Sequence, residues 1–289
     1  MAQDRDLTTA SPGLSSLIEH DNVTEIARAL GLVLRDRKVD VFILVWTLYL
    51  GFAEAKKRTL DGLRVVYKRL AGHDLARSAF HDRLTPALAS LLRTLAMDGV
   101  AALGAAPRAM PARLAGFRDL LAIDATVLRL HDWLSKNYAA CRTNHTKAAA
   151  KLHMVMSVLD GSPNRMRLTA ERVNDKTPWR RVEKWVSGCL LLFDLGYYSF
   201  HLFDRIDAHE GFFLSRVKSN ANPVIVSENR RWRGRAVPVV GQRLQDVLPR
   251  LRRQYLDVNV EVEFQRRVYR GVRSRKRRTF RLVAVRNDE

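Results

Sequence analysis

Apolar residues in the first hundred positions recur at the three- and four-residue spacing of amphipathic helices. A continuous apolar run at 41–53 predicts one buried helix, and Asp40 stands directly before it, where a carboxylate can cap the first turn. A stretch rich in Ala, Gly and Pro at 99–111 indicates a boundary segment. We therefore predict a helical domain over residues 1–110. Its other helices are expected at 17–34, 59–70, 74–84 and 87–97.

Beyond the boundary, apolar residues follow the period of β-strands. The order is three strands, a helix, a strand, a helix and a strand, with a turn at 160–164 between the second and third strands. This is the order of a ribonuclease-H-like core, which we assign to residues 111–222 and in which the first and fourth strands are neighbours. The predicted fold class is therefore mixed α+β or α/β. The strands are expected at 118–130, 149–159, 165–173, 190–194 and 211–217, and the helices at 178–186 and 198–207.

The last part of the chain returns to a β pattern, with alternating Val258, Val260 and Val262. A basic loop is expected at 273–278, between the last two strands. We assign residues 223–289 to a basic, β-rich segment. Its strands are predicted at 224–227, 256–264, around Tyr269 and at 280–285.

Two aspartates stand at the ends of predicted strands. Asp124 follows the apolar run 120–123, and Asp194 follows the apolar run 190–193. A carboxylate at the end of a buried strand needs a positive partner, and ligands of α/β sheets bind at such ends. Because the first and fourth strands are predicted neighbours, we expect Asp124 and Asp194 to meet despite their separation in the sequence.

Two carboxylates in a cleft favour hard divalent cations such as Mg²⁺, which keeps waters for its substrate. Two such ions about 4 Å apart can activate an attacking oxygen and stabilise a leaving one in phosphodiester chemistry. Each aspartate also has a structural alternative. Asp124 could pair with Arg118 or Lys147, whereas Asp194 could cap the helix that follows it. The histidines lack metal-ligand spacing, and no P-loop, nucleophilic-serine or zinc motif is present.

The composition adds a strong positive charge to this picture. The chain has 50 basic and 30 acidic residues, a net charge of +20, and residues 228–289 hold 18 of the basic and 7 of the acidic ones. Such an excess favours a polyanionic partner, most often nucleic acid, although a composition bias towards Arg gives the same charge. Two cysteines without a CxxC pair, a polar N-terminus and apolar runs too short for a membrane span predict a protein of the reducing cytoplasm.

Basic side chains in two places are candidate DNA contacts. The helix pair at 63–70 and 74–84 has helix-turn-helix dimensions and would present Arg77 and Arg83 to a DNA groove, with an ordinary helical hairpin as the alternative. The other candidates follow the second aspartate or lie in the basic loop, where a solvated basic face is the alternative. They are Arg216, Lys218, Arg273, Arg275, Lys276, Arg277 and Arg278.

Several segments around the two aspartates form a recognisable pattern: FDLGYY at 193–198, LFDRI at 202–206 and GFFLSRVKSNA at 211–221, with LAIDAT at 121–126 and KLH at 151–153 as the first two strands. This pattern resembles the catalytic region of DDE transposases of bacterial insertion sequences, most closely the group called the IS-four family. The resemblance covers residues 118–222 and implies that residues 223–289 are an incomplete β-rich insertion. The resemblance implies a ribonuclease-H-like core, Asp124 and Asp194 as the first two catalytic acids, and two Mg²⁺ ions.

The resemblance also implies a reaction and its partners. Water first cleaves a strand at the end of the transposable element, and the freed 3′-hydroxyl then attacks target DNA. The partners would be double-stranded DNA at the element ends and at the target site, together with self-association or pairing with an intact transposase. The expected location is the cytoplasm, at the bacterial nucleoid.

One part of the family pattern is missing. The third acid of the family is a Glu in the pattern Tyr, two residues, Arg, three residues, Glu, six residues, Lys, which this sequence does not contain. Glu228, Glu261 and Glu263 lie in β-like sequence, and Glu289 is the last residue. We therefore expect a truncated transposase that is inactive alone. The alternatives are a non-catalytic DNA-binding protein, such as a transposition inhibitor, and an unrelated nuclease in which Glu263 or Asp257 approaches the two aspartates.

Overall fold

The computed structural model describes residues 18–32, 39–54, 59–105, 109–141, 146–229, 238–252, 254–265 and 274–286. The chain divides into two compact units, Met1–Ala106 and Pro107–Glu289. The described part of the first unit is helical, and the second contains two β-sheets with short helices. This mixed α and β content agrees with the predicted α+β class.

Five helices form the described part of the first unit. Their apolar sides share one core, in which Val23, Leu44 and Phe80 are fully buried. Burying such a side chain contributes about 1.5–3 kcal/mol, so packing rather than intrinsic helix propensity stabilises this unit. The helices are α1 (His20–Ala29), α2 (Val41–Glu54), α3 (Leu60–Ala71), α4 (Arg77–His81) and α5 (Pro86–Ala105).

Side-chain caps determine where α2 and α3 begin. The Asp40 carboxylate accepts a hydrogen bond from the backbone N–H of Phe42 at 2.8 Å, so the predicted cap is confirmed. The Thr59 hydroxyl accepts a hydrogen bond from the N–H of Gly62 at 3.1 Å. Gly72 ends α3 with a positive φ of 74°, a conformation that favours glycine.

Thr59→Ala is expected to lower the free energy of unfolding by about 1 kcal/mol, because one N–H in the first turn of α3 loses its acceptor. Urea denaturation followed by far-UV circular dichroism measures this loss. Thr24→Ala is the matched control, since its hydroxyl lies within α1 and donates to the His20 carbonyl rather than capping a helix. Equal losses in the two variants would contradict the capping role of Thr59.

Helix boundaries differ from the predicted ones at three places. The helix expected at 17–34 extends only over His20–Ala29 in the described residues. The helix expected at 74–84 is reduced to the five residues of α4. Arg64 Nη2 donates to the Leu75 carbonyl at 2.6 Å, so this carbonyl does not accept a helical hydrogen bond before α4. Pro86 has no N–H and therefore cannot extend the helix on the other side. The boundary segment expected from residue 99 begins later, because α5 continues to Ala105. Ala has the highest helix propensity of the amino acids, so this Ala-rich stretch extends the helix.

The second unit contains a five-stranded sheet of β1 (Asp119–Leu130), β2 (Ala148–Ser157), β3 (Pro163–Ala170), β4 (Cys189–Phe193) and β5 (Phe212–Leu214). Their order across the sheet is β3-β2-β1-β4-β5. β1 is antiparallel to β2 and parallel to β4, so the predicted adjacency of the first and fourth strands is confirmed. The helix α6 (Phe200–Ala208) lies in the connection from β4 to the parallel strand β5.

One face of this sheet packs against α6 and against the segment that follows β3. Alternate residues of β1 and β4 form a buried cluster with α6. Trp179 and Val182 join that cluster from the segment in which a helix is predicted at 178–186. Only a short 3₁₀ turn, Lys184–Val186, forms there. Buried residues occur in successive parts of this segment rather than on one side of a helix, so the segment forms turns along the sheet instead of a helix.

A second sheet consists of β6 (Val224–Glu228), β7 (Tyr255–Gln265) and β8 (Arg275–Val285), in that order, and the short helix α7 (Leu244–Val247) packs in its core. The basic stretch 275–278, predicted as a loop, is instead the beginning of β8. Arg277 stands opposite Glu263 of β7, and opposite charges across two strands stabilise their pairing. The predicted positions Arg273 and Tyr269 lie outside the described residues.

The helix α5 is long and apolar enough to cross a membrane by length and composition alone. Its residues Leu88, Leu91 and Leu95 are buried in the helical core, and Arg93 interrupts its apolar sequence. Core helices pass the same length and composition test, so α5 is weak evidence and a membrane location is not indicated.

Candidate functional site

Asp124 and Asp194 lie at the same edge of the larger sheet. The last residue pair between β1 and β4 joins Ile123 to Phe193, and each aspartate is the next residue along its chain segment. Ile123 and Phe193 belong to the buried cluster, and side chains alternate between the faces of a strand. Both aspartates therefore lie on the opposite face, and both are exposed. The strand order thus brings both aspartates to this edge, and that their carboxylates meet there stays a prediction.

Asp194 is bound by an arginine. Arg216 Nη2 donates to Asp194 Oδ1 at 2.6 Å, and both side chains are mostly exposed. This hydrogen bond, followed in importance by one from the Leu195 N–H, lowers the pKa of Asp194, so the carboxylate is ionised at neutral pH. Asp194 holds the N-cap position of the 3₁₀ turn Leu195–Tyr197, but among the described residues its side chain makes no capping hydrogen bond to that turn. The alternative of Asp194 as a helix cap is therefore not supported by a capping bond.

Asp124 has no basic partner among the described residues. Its Oδ1 accepts a hydrogen bond from the N–H of Ala125 at 2.8 Å. Arg118, one of the two predicted structural partners, donates instead to the Trp185 carbonyl and to the Cys189 sulfur. Asp124 thus presents a carboxylate to solvent at the end of the β1–β4 pairing.

This pair of carboxylates fits a hard divalent cation. Mg²⁺ is commonly held by one or two carboxylates, and waters and substrate phosphates complete its coordination. Asp124 and Asp194 are the residues that would hold it. Arg216 would then give up its hydrogen bond to Asp194 Oδ1. In the described part of the chain, no group of three or more His, Cys, Asp or Glu side chains could hold a metal ion.

Two acids of the smaller sheet, Glu263 and Asp257, are paired with arginines of the same sheet. Glu263 accepts hydrogen bonds from Arg275 at 2.8 Å and from Arg277 at 3.0 Å. Asp257 accepts a hydrogen bond from Arg281 at 2.6 Å. Both acids are neutralised within their own sheet. The described residues therefore do not support the unrelated nuclease in which Glu263 or Asp257 joins the two aspartates.

Asp175 and Tyr197 were not predicted as residues of the site. Tyr197 belongs to the FDLGYY segment, whereas the sequence around Asp175 shows only turn composition. Lys151 Nζ donates to Asp175 Oδ1 at 2.7 Å and to the Val173 carbonyl at 3.1 Å, which ties the segment after β3 to β2. Tyr197 is buried, and its hydroxyl has no hydrogen-bond partner in the described structure. Burial raises the pKa of Tyr197, and the charges of Asp175 and then Asp124 raise it further. Asp175 and Tyr197 therefore belong to the electrostatic surroundings of Asp124.

A comparison with known protein families matches residues 115–281 to the transposase DDE domain. The match covers more than half of the chain and includes both aspartates. The chain belongs to the transposase DDE domain family. Membership supports a role in DNA transposition, implies DNA as a partner, and places the chain in a family that generally uses divalent metal ions. No curated protein matches the chain.

The basic residues of β8 in this DDE-family chain point to two different faces. Lys276 Nζ and Arg278 Nε donate to Asp204 of α6 at 2.6 and 2.5 Å, and Asp204 is only 15% exposed. Arg275 and Arg277 lie on the other face, where both contact Glu263. Of these four predicted DNA contacts, Lys276 and Arg278 are therefore engaged in an ion cluster with Asp204 inside the unit.

The remaining predicted DNA contacts of the transposase-family chain are spread over both units. Arg216 binds Asp194, and Lys218 Nζ lies 5.8 Å above the centre of the Tyr198 ring. Arg77 is exposed and lies 3.8 Å from Asp61. The helix that was expected to read DNA is only the five-residue α4, and Arg83 follows it rather than lying within it. DNA contact by each of these residues remains a prediction, as it does for Arg273.

Proposed function

We propose that this protein is a transposase-type enzyme with a ribonuclease-H-like core. It hydrolyses phosphodiester bonds at the ends of an insertion sequence and transfers the freed strand to target DNA. One observation carries the proposal: Asp124 and Asp194 share an edge and a face of the sheet within the matched DDE domain. Two carboxylates placed in this way suit the metal-dependent chemistry of phosphodiesters.

Each residue of the site has a defined role in this proposal. Asp124 and Asp194 hold the divalent cations, of which two are expected in an intact site of the family. Bound Mg²⁺ supplies electrostatic stabilisation of the charge that develops on the phosphate. The low pKa of Asp194 keeps its carboxylate ionised and ready to bind a cation. Arg216 contacts Asp194 at 2.6 Å and can transfer its hydrogen bonds to a DNA phosphate when Asp194 binds a metal ion.

Among the described residues, no third acid joins Asp124 and Asp194 in a group that could hold a metal ion. Catalytic carboxylates act as a unit, so a site with two of three acids loses most of its activity. The chain alone is therefore expected to cut DNA slowly or not at all. Activity then depends on pairing with an intact transposase, or on self-association, at element ends and target DNA in the cytoplasm.

A second candidate function is a non-catalytic DNA-binding protein that occupies element ends and inhibits transposition. In this candidate Arg216 stays bound to Asp194, so that the carboxylate pairs with an arginine instead of a metal ion. The net charge of +20 serves either function equally well. Metal binding at the two aspartates separates the candidates, since only the transposase-type site requires it.

Binding of Mn²⁺, a spectroscopic substitute for Mg²⁺, tests the proposal directly. The protein with a DNA duplex is expected to bind Mn²⁺ in electron paramagnetic resonance titrations, because two exposed carboxylates share one edge of the sheet. Nicking of supercoiled plasmid that stops on adding EDTA would show that the chain is active alone, and Mn²⁺ binding without nicking would agree with an incomplete site. DNA binding without any Mn²⁺ binding would establish the inhibitor function instead.

A further inference from the structure

A cavity of about 370 Å³ lies beside the start of α6. Its walls come from the segment after β3 and from the first residues of α6. Three cations, Lys176, Arg180 and Arg205, line it together with His201 and Ser199. No acidic side chain is among the described residues that line this cavity, so its charge is entirely positive.

Burial and neighbouring cations disfavour the charged forms of two side chains that line the cavity. Burial lowers the pKa of Lys176, and the nearby charge of Lys218 lowers it further. Burial also lowers the pKa of His201, and the guanidinium of Arg205 adds to this effect, whereas a backbone hydrogen bond with Gln265 and the charge of Asp204 act in the opposite direction. Arg205 donates a hydrogen bond to the Arg180 carbonyl. An anion in the cavity would favour the charged forms of Lys176 and His201.

Polar groups without partners also line the cavity. Trp179, which is 3% exposed, forms part of the wall, and its Nε1–H is buried without a hydrogen-bond acceptor in the described structure. A buried N–H without an acceptor is costly unless a ligand or water supplies one. Ser199 holds the N-cap position of the nine-residue α6, and its side chain makes no capping hydrogen bond. An oxyanion could accept hydrogen bonds from these donors and from the free N–H groups of the helix start.

We propose that this cavity binds a phosphate group of the DNA backbone. Two further cations lie between the surroundings of Asp194 and the cavity: Arg216 contacts Asp194, and Lys218 lies above Tyr198 and acts electrostatically on Lys176. We expect a DNA strand that passes Asp194 to follow these cations to the cavity. The assignment to DNA rests on the proposed function, whereas binding of a phosphate group does not.

Adjacent arginines provide a matched test, because Arg180 lines the cavity and Arg181 does not. We expect Arg180→Gln and Lys176→Gln each to weaken binding of inorganic phosphate and of a DNA duplex about tenfold, the effect of one lost charge-assisted hydrogen bond. The slope of duplex affinity against salt concentration, on logarithmic scales, should fall by roughly one unit, the contribution of one phosphate contact. Arg181→Gln should leave phosphate binding unchanged, and Lys176→Arg should restore it. Fluorescence anisotropy measures duplex binding, and ³¹P NMR titration measures phosphate binding.

The outcomes separate this site from the proposed transposase function. The measurements are made without metal and repeated in the Asp124→Asn variant, so they do not depend on catalysis or on metal binding. Loss of phosphate binding with unchanged duplex binding would overturn the assignment to DNA in favour of a site for free phosphate. Equal losses in Arg180→Gln and Arg181→Gln would overturn the cavity, because general surface charge would then explain both. Circular dichroism spectra of each variant confirm that the fold is retained.

Discussion

Asp124→Asn is expected to weaken Mn²⁺ binding by about 100-fold and to abolish any metal-dependent DNA cleavage. Replacing residues that only support a metal ligand costs about 10–100-fold in affinity, and loss of a direct ligand costs at least as much. Asn has nearly the same shape as Asp, so the variant removes a charge while leaving the β1–β4 pairing intact. Electron paramagnetic resonance titration with Mn²⁺ measures the affinity, and plasmid nicking measures the cleavage.

The control for this experiment is Asp207→Asn. Asp207 is an exposed aspartate on α6 that the proposed site does not include. This variant should bind Mn²⁺ as the unchanged protein does, which excludes a general effect of surface charge. Duplex binding should change less than twofold in both variants. Mn²⁺ affinity that is the same in Asp124→Asn as in the unchanged protein would exclude Asp124 as a metal ligand and end the two-carboxylate proposal.

Asp204→Asn is expected to lower the free energy of unfolding by about 2–3 kcal/mol. Asp204 of α6 binds Lys276 and Arg278 of β8, and its side chain is mostly buried. Removing one partner of a buried ion cluster leaves the remaining charges desolvated and uncompensated, which typically costs about 3–5 kcal/mol. The partial exposure of Arg278 reduces that cost. Urea denaturation of the full chain, followed by tryptophan fluorescence, measures the change.

The pH dependence of stability provides a second readout for Asp204. Burial by itself raises the pKa of Asp204, but the hydrogen bonds from Lys276 and Arg278 outweigh it, so the pKa in the folded protein is lowered. The stabilisation is therefore fully present above the ordinary aspartate pKa of about 4 and is lost as the pH falls through the lowered folded value. Asp204→Asn should remove this part of the acid dependence.

Glu263→Gln is the comparison variant for the ion cluster. Glu263 contacts Arg275 and Arg277 on the outer face of the same strands, where both arginines are exposed. Exposed ion pairs contribute little because water screens them, so this variant should unfold almost as the unchanged protein does. If Asp204→Asn were no more destabilising than Glu263→Gln, the cluster would not hold α6 against β8.

Much of the fold could be predicted from local patterns. The capping aspartate Asp40, the turn at 160–164 and the apolar runs before Asp124 and Asp194 each act over a few residues, so the sequence shows them directly. The helix predicted at 178–186 failed for the opposite reason. Its hydrophobic residues, among them Trp179 and Val182, pack in a core formed by strands that are distant in the sequence. That packing, rather than local helix propensity, determines the conformation of the backbone.

The candidate site was only partly predictable. The strand order brings Asp124 and Asp194 to one edge, and this could be inferred because parallel neighbours end at the same side of a sheet. Asp175 could not be found in this way. It reaches the surroundings of Asp124 through an ion pair with Lys151, and nothing in the spacing of the two residues indicates that contact.

The sequence by itself determined the alternation of strands and helices, the pair of aspartates and the excess of positive charge. Only the tertiary structure decided which basic side chains remain available to bind a partner. Lys276 and Arg278 face Asp204, while Arg275 and Arg277 face outward, because a strand turns successive side chains to opposite faces. The same folding gathers Lys176, Arg180 and Arg205 around one cavity, and no acid is among the described residues that line it. Charge is a property of composition, but its compensation depends on which distant residues the fold places within a few ångströms.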